Sequence, residues 1–204
     1  MPSQPITELQ FQKLLEETRK TKNKFIVNRD ILMYELLFYL GLRPSECRLI
    51  KVQHISFSEK TIFIPAQNNK QHNEDVVYMP EFIQDKILNY LRKRKINSNW
   101  LFPCAKNYSS VMIYGTFARK FTKRLTTLEV LNVSYIDKQG RPRYHLNLYS
   151  FRKRFGTFAY KKTRCPQTTA LLLRHTDKQY KAVWSYIFAV QKEERKEIMQ
   201  ELYN

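Results

Sequence analysis

The chain lacks the residues that a disulfide scaffold or a zinc module needs. Its three cysteines, Cys47, Cys104 and Cys165, lie far apart, and no Cys-x-x-Cys pair exists. That spacing excludes the common structural zinc arrangements. The odd count, with a polar opening Met1-Pro2-Ser3-Gln4-Pro5 that does not read as a secretion leader, argues for a reducing compartment. Long apolar runs are also missing. The longest, Ile31 to Leu40, is interrupted by Glu35 and is too short to span a bilayer. Internal repeats and low-complexity segments are absent as well. The expectation is a soluble protein of the cytoplasm, with no membrane partner.

Acidic residues are the other scarcity. Asp plus Glu number 18 against 36 Lys plus Arg, a formal net charge of +18. Such an excess suits a polyanionic partner, with nucleic acid first and an acidic membrane second. The 43% hydrophobic content marks a globular chain with a core, and the basic residues are interleaved with 13 Tyr and 13 Phe instead of forming a detached tail.

Hydrophobic spacing and turn residues organise the chain. Thr7 and Gln10 form the pattern of a capping box, after which Leu9, Phe11, Leu14 and Leu15 are expected to face a core. A polar break follows at Thr21 to Lys24, and Asn28 or Asp30 is expected to open the apolar helix that ends at Gly41. Strands are expected over Val52–Phe57, Thr61–Pro65 and Asp75–Met79, pairing into a small antiparallel sheet. Gln67 to Asn73 forms the polar tip between the second and third strands. A helix is expected over Glu81–Lys95, with the basic end its dipole prefers, and another over Val111–Leu125. Leu131–Ile136 and Arg143–Leu148 flank an additional hairpin. Ser150 is placed to cap the next helix, and Thr168–Arg174, Lys178–Ala189 and Glu193–Tyr203 complete a helical second half.

The most informative stretch is Gly41-Leu42-Arg43-Pro44-Ser45-Glu46. Gly41 suits a helix C-terminus and Pro44 the first turn of the next helix, so Arg43 is held at a helix–helix junction beside N–H groups that favour an anion. Further on come Tyr149-Ser150-Phe151-Arg152, then Leu173-Arg174-His175, then Tyr180 and Tyr186. In this order the residues resemble the catalytic domain of tyrosine recombinases, the phage integrase family, from about Ile6 to Tyr186. The resemblance implies an α+β fold, mostly helical, with a small three-stranded antiparallel sheet. It also implies a single catalytic domain over 1–204 (core 6–190, tail helix 191–204), without the N-terminal core-binding domain of most members.

The implied activity is site-specific recombination or integration. Duplex DNA is cut and rejoined through a 3′-phosphotyrosyl link, with no metal and no cofactor. The partners implied are double-stranded DNA with a specific core site and further copies of the chain, as a dimer or tetramer on that DNA. Arg43 and Arg152 would fork onto one phosphate. Lys70, in the second hairpin tip, would protonate the leaving 5′-oxygen. His175 would hold a phosphate oxygen, and Tyr186 would be the nucleophile, with Tyr180 second. The chain departs from the family in three places. Tyr149 stands where histidine is usual, which leaves hydrogen bonding in place of a base. Arg174 replaces the usual glycine before His175, adding a phosphate contact or changing the loop. Trp184 occupies the usual position of the nucleophile, about two and a half helical turns after the histidine. These departures also fit an inactive DNA-binding relative. A telomere resolvase or type IB topoisomerase would share the chemistry.

Overall fold

The computed structural model describes residues 3–69, 72–175, 183–188, 190–191 and 194. Helix α1 (Glu8–Arg19) opens as its sequence dictates. Thr7 accepts from the Gln10 N–H, and the Gln10 side chain accepts from the Thr7 N–H. Phe11, Leu14 and Leu15 are buried, whereas Leu9 is 66% exposed and faces solvent.

Helix α2 (Lys24–Leu40) is the centre of the fold. It is apolar nearly all round, as a helix covered on every side must be. It packs against α1, α3 (Pro44–Arg48), α4 (Glu81–Arg94) and α6 (Tyr149–Thr163). It begins earlier than expected, because Asn23 caps it by accepting from the Ile26 N–H. Asp30 is not a cap at all. It is buried, and one oxygen accepts from Arg29 while the other accepts from Arg124 of α5 (Tyr114–Thr127) at 3.0 Å. Arg124 also donates to the Tyr34 hydroxyl at 2.9 Å. A buried carboxylate needs this pairing, and the network fastens α5 to α2.

The expected sheet forms, with order β1-β2-β3 and antiparallel pairing throughout. β1 is only Ile55–Ser56, since Val52–His54 winds into a 3-10 turn. β2 spans Thr61–Ile64 and β3 Asp75–Tyr78. Ile62, Ile64 and Val77 point into the core, as the two-residue period requires. The additional hairpin pairs β4 (Val133–Ile136) with β5 (Pro142–Tyr144).

Helix α6 is set by Phe151, which is fully buried between helices. Its ring lies 5.8 Å from Tyr34, 5.6 Å from Phe121 and 6.2 Å from Phe11. That packing fixes the rotation of α6 and so the direction of the next residue, Arg152. Ser150 does not cap α6. It lies inside the helix, and its hydroxyl accepts from the Asn147 N–H. The last short helix is α7 (Pro166–Leu172), and residues 183–188 are helical.

Gly41 ends α2 in the left-handed conformation, φ 59°. A Cβ built there would stand 2.3 Å from Cδ1 of the Phe155 ring on α6. The position therefore requires glycine for its dihedral and for its space. Gly41→Ala is expected to destabilise the fold by about 2–4 kcal/mol, combining the left-handed penalty with overpacking. Urea unfolding should show this as a lower midpoint with an unchanged slope.

Candidate active site

The junction after α2 builds the first part of the site. Arg43 is the N-cap residue of α3, and Pro44 takes the first helical position. Glu46, three residues on, folds back. Its Oε2 accepts from the Arg43 backbone N–H at 2.9 Å, and its Oε1 accepts from the Arg43 guanidinium at 2.5 Å. Glu46 is 1% exposed, so this carboxylate is an internal group of the site.

Arg152 comes from the first turn of α6, with Phe151 anchored in the core behind it. Its guanidinium donates to the carbonyl of Gly41 at 2.7 Å and to the carbonyl of Leu173 at the end of α7. Two carbonyls at helix ends, which lack partners within their own helices, are satisfied by one planar fork. The neighbouring cation takes a different path. Arg154 stacks over Phe38, 3.9 Å from the ring centroid, and pairs with Glu8 at 3.4 Å. Of these two arginines, only Arg152 is therefore turned toward Arg43.

Arg174 follows α7 in the left-handed conformation, φ 54°. The Arg174 N–H donates to the Leu171 carbonyl and the His175 N–H to the Ala170 carbonyl, a Schellman closure of the helix. The Arg174 side chain turns inward. It donates to Glu46 Oε2 at 2.6 Å, and its Nε lies 3.3 Å from Asp75 Oδ2 at the start of β3. Tyr186 completes the group. It is 7% exposed and packs with Leu173, Val183 and Ile187. Its ring lies over Gly156 of α6, where a Cβ would come within 2.9 Å of Cδ2 and Cε2.

The electrostatics record the convergence. Burial, then the charges of Arg43 and Arg174, push the Arg152 guanidinium down to about 9, with Glu46 and Tyr186 acting in the opposite sense. Burial alone would raise the Glu46 carboxyl, but Arg174 and Arg43 outweigh it and hold it below the usual carboxylate range. Burial raises the Tyr186 phenol, and the positive charges of Arg152 and Arg43 partly offset this. Three guanidinium groups thus surround one buried carboxylate, with a phenol at their edge. The excess positive charge favours an anion with several oxygens, such as a phosphodiester.

The remaining sequence-predicted residues are less central. Tyr149 is on the first turn of α6 and is 48% exposed. His175 is half-buried, directly after Arg174. Lys70 and Tyr180 lie outside the described residues. Trp184 is 44% exposed, so it is Tyr186 that faces inward here. Sequence reasoning missed Glu46 as a group that organises the site. Its place three residues after an N-cap was the available signal. It also missed Gly156, an isolated glycine in a helical pattern, which marks close packing. Asp75 gave no signal.

Among the described residues no helix is long and apolar enough to cross a membrane, and no cluster of His, Cys, Asp and Glu has metal-binding form. A profile of the phage integrase family matches residues 4–182. Tyrosine recombinase XerA of Pyrococcus furiosus is 33% identical over 97 residues, covering 48% of this chain and 32% of that protein. The chain thus spans about a third of that curated relative's length. Among solved structures, the Tn1549 transposon integrase with transposon right end DNA superposes with a TM-score of 0.69 at 16% identity, covering 96% of this chain and 66% of that one. The XerH recombinase bound to palindromic difH substrate gives 0.66 at 17% identity, covering 89% and 48%. Sequence match and shared fold agree over most of the chain, which belongs to the phage integrase family, the tyrosine recombinases.

Proposed function

We propose that the chain is the catalytic region of a site-specific recombinase or integrase that cuts and rejoins duplex DNA through a 3′-phosphotyrosyl intermediate. The observation that carries this reading is the approach of Arg43, Arg152 and Tyr186, from three separate parts of the chain, to one positively charged place. The two guanidinium groups take the non-bridging oxygens of the scissile phosphate and stabilise the charge that grows there. The Tyr186 oxygen attacks phosphorus, the bond from phosphorus to the 5′-oxygen breaks, and the phosphodiester is kept as a phosphotyrosine. Reversal by a 5′-hydroxyl rejoins the strand without ATP. His175 holds a phosphate oxygen and helps orient the attack, with an imidazole able to accept the phenol proton. Lys70 returns a proton to the leaving 5′-oxygen. Tyr149, a phenol where histidine is usual, serves as a hydrogen-bond donor to the phosphate.

The partner in this reading is double-stranded DNA with a specific core site, engaged by two or four copies of the chain. The solved relatives include recombinases on such duplexes, XerH on difH among them. A duplex carrying a nick beside the cleavage position, so that the short released strand diffuses away, tests the chemistry. The expected result is a protein–DNA band that survives denaturation. Tyr149 in place of histidine supports a second reading, a DNA-binding relative without cleavage. That reading gives a mobility shift and no covalent band.

A further inference from the structure

We propose that Arg174 is a positioning residue for the phosphate clamp, acting through Glu46 on Arg43. The proposal rests on the recombinase reading above. Arg174 occupies a left-handed position that favours glycine, and the family resemblance puts glycine there. An arginine in that conformation is a local penalty that something else in the structure must offset. Its side chain is only 5% exposed, so the compensation lies inside the protein.

The contacts form a chain from strand to clamp. Asp75 at the start of β3 faces Arg174 Nε at 3.3 Å. Arg174 donates to Glu46 Oε2 at 2.6 Å, and Glu46 Oε1 holds Arg43 at 2.5 Å. Glu46 is buried and negative, which makes it a competitor for the same guanidinium that must bind the scissile phosphate. If Arg43 were its only cation, Glu46 would cancel the charge of Arg43. Arg174 shares the carboxylate, so the clamp keeps its positive excess and Arg43 keeps its orientation. The Asp75 contact adds a second effect. Through Arg174 it ties the start of β3 to the same carboxylate, holding the sheet in register with the α2–α3 junction. Arg174 itself touches no phosphate in this scheme.

Arg174→Gly is the natural test, because glycine suits the backbone there and the variant should fold. Three measurements decide. First, single-turnover covalent capture of the nicked duplex should slow on the order of 10–100-fold, as expected for a displaced clamp. Arg174→Lys should recover part of that loss, since an ammonium reaches one oxygen of Glu46. Second, the slope of log affinity against log salt should be unchanged in Arg174→Gly. A direct phosphate contact would instead reduce the slope by about 1 and would overturn the proposal. Third, Arg174→Gly combined with Glu46→Gln should be no slower than the worse single variant, since both act on one link. Multiplying losses, or wild-type capture rates in Arg174→Gly, would also overturn it. If wild-type protein captures no DNA, the recombinase reading fails separately. The Arg174–Glu46 link is then judged by thermal unfolding of the same variants, where non-additive midpoints support it and additive ones reject it.

Discussion

Arg152→Ala is expected to slow covalent capture of DNA on the order of 10²–10³-fold while changing folding stability far less than its hydrogen bonds suggest. The wild-type guanidinium satisfies the carbonyls of Gly41 and Leu173. Leaving two buried carbonyls without donors costs about 1–3 kcal/mol each. Set against this, the same guanidinium is buried beside Arg43 and Arg174, and that burial with the two like charges pushes it down to about 9. A displacement of that size corresponds to a few kcal/mol, roughly equal and opposite to the lost hydrogen bonds. The net change in urea unfolding should therefore stay within about 2 kcal/mol, the usual range for a single substitution.

A guanidinium does not release its proton under ordinary conditions, so this tension is not relieved by titration. It is relieved by an anion. Inorganic phosphate should raise the unfolding midpoint of the wild-type protein beyond the effect of chloride at equal ionic strength. The gain approaches about 2.7 kcal/mol at a hundredfold excess over the dissociation constant. Arg152→Ala should lose that phosphate-specific gain. Equal stabilisation of both proteins would mean that phosphate binds elsewhere and that the arginine cluster does not form the clamp.

The sequence made local chemistry legible and left long-range pairing hidden. Thr7 with Gln10, the left-handed turn at Gly41, and Pro44 are local features that appear in the structure as their types suggested, whereas the space Gly41 leaves for Phe155 shows in no local pattern. The three-stranded sheet followed from alternation and turn residues in the same way. Asp30 was misjudged because an aspartate near a helix start is usually a cap. Besides the adjacent Arg29 it pairs with Arg124, which lies on α5 and is invisible to any local pattern. Leu9 fitted an apolar stripe but fell on its solvent edge. Ser150 lost the capping role because the helix starts earlier, with Leu148 at the N-cap and the Asn147 side chain accepting from the Tyr149 N–H at 2.9 Å. The site divides along the same line. Arg43 and Arg152 were visible through motif resemblance, whereas Asp75, Glu46 and Arg174 form a chain across three elements that no spacing rule encodes. Arg174 had been expected to contact phosphate or reshape the loop. It occupies the glycine's left-handed conformation and turns its charge inward.

Tyr186→Phe is expected to abolish the covalent band completely while DNA affinity persists. The variant keeps the aromatic ring, and the ring is what packs against Gly156, Leu173 and Ile187. Stability should therefore change by about 1 kcal/mol or less, the worth of a single hydroxyl's interactions. Loss of the band would then report lost chemistry and not lost fold. Burial raises the Tyr186 phenol above its usual value, so hardly any phenolate exists near neutrality and its proton must leave as the attack proceeds. The Arg152 and Arg43 charges that offset burial are the ones that hold the phosphate in the proposed reaction, which would place nucleophile and target in one field. Gly156→Ala gives an independent reading of the same geometry. The added methyl gains about 1 kcal/mol of helix propensity, yet it occupies space within 2.9 Å of the Tyr186 ring. The ring must shift, and a shift on the order of 1 Å can cost about 10²-fold in rate. Overpacking offsets that propensity gain, so a protein within about 2 kcal/mol of wild-type stability but much slower in capture would support attack by Tyr186. A band that survives in Tyr186→Phe and disappears in Tyr180→Phe would move the nucleophile to Tyr180. Gly156→Ala should then slow capture less, and only through Leu173, whose Cδ1 lies 3.1 Å from the added methyl and whose carbonyl accepts from Arg152.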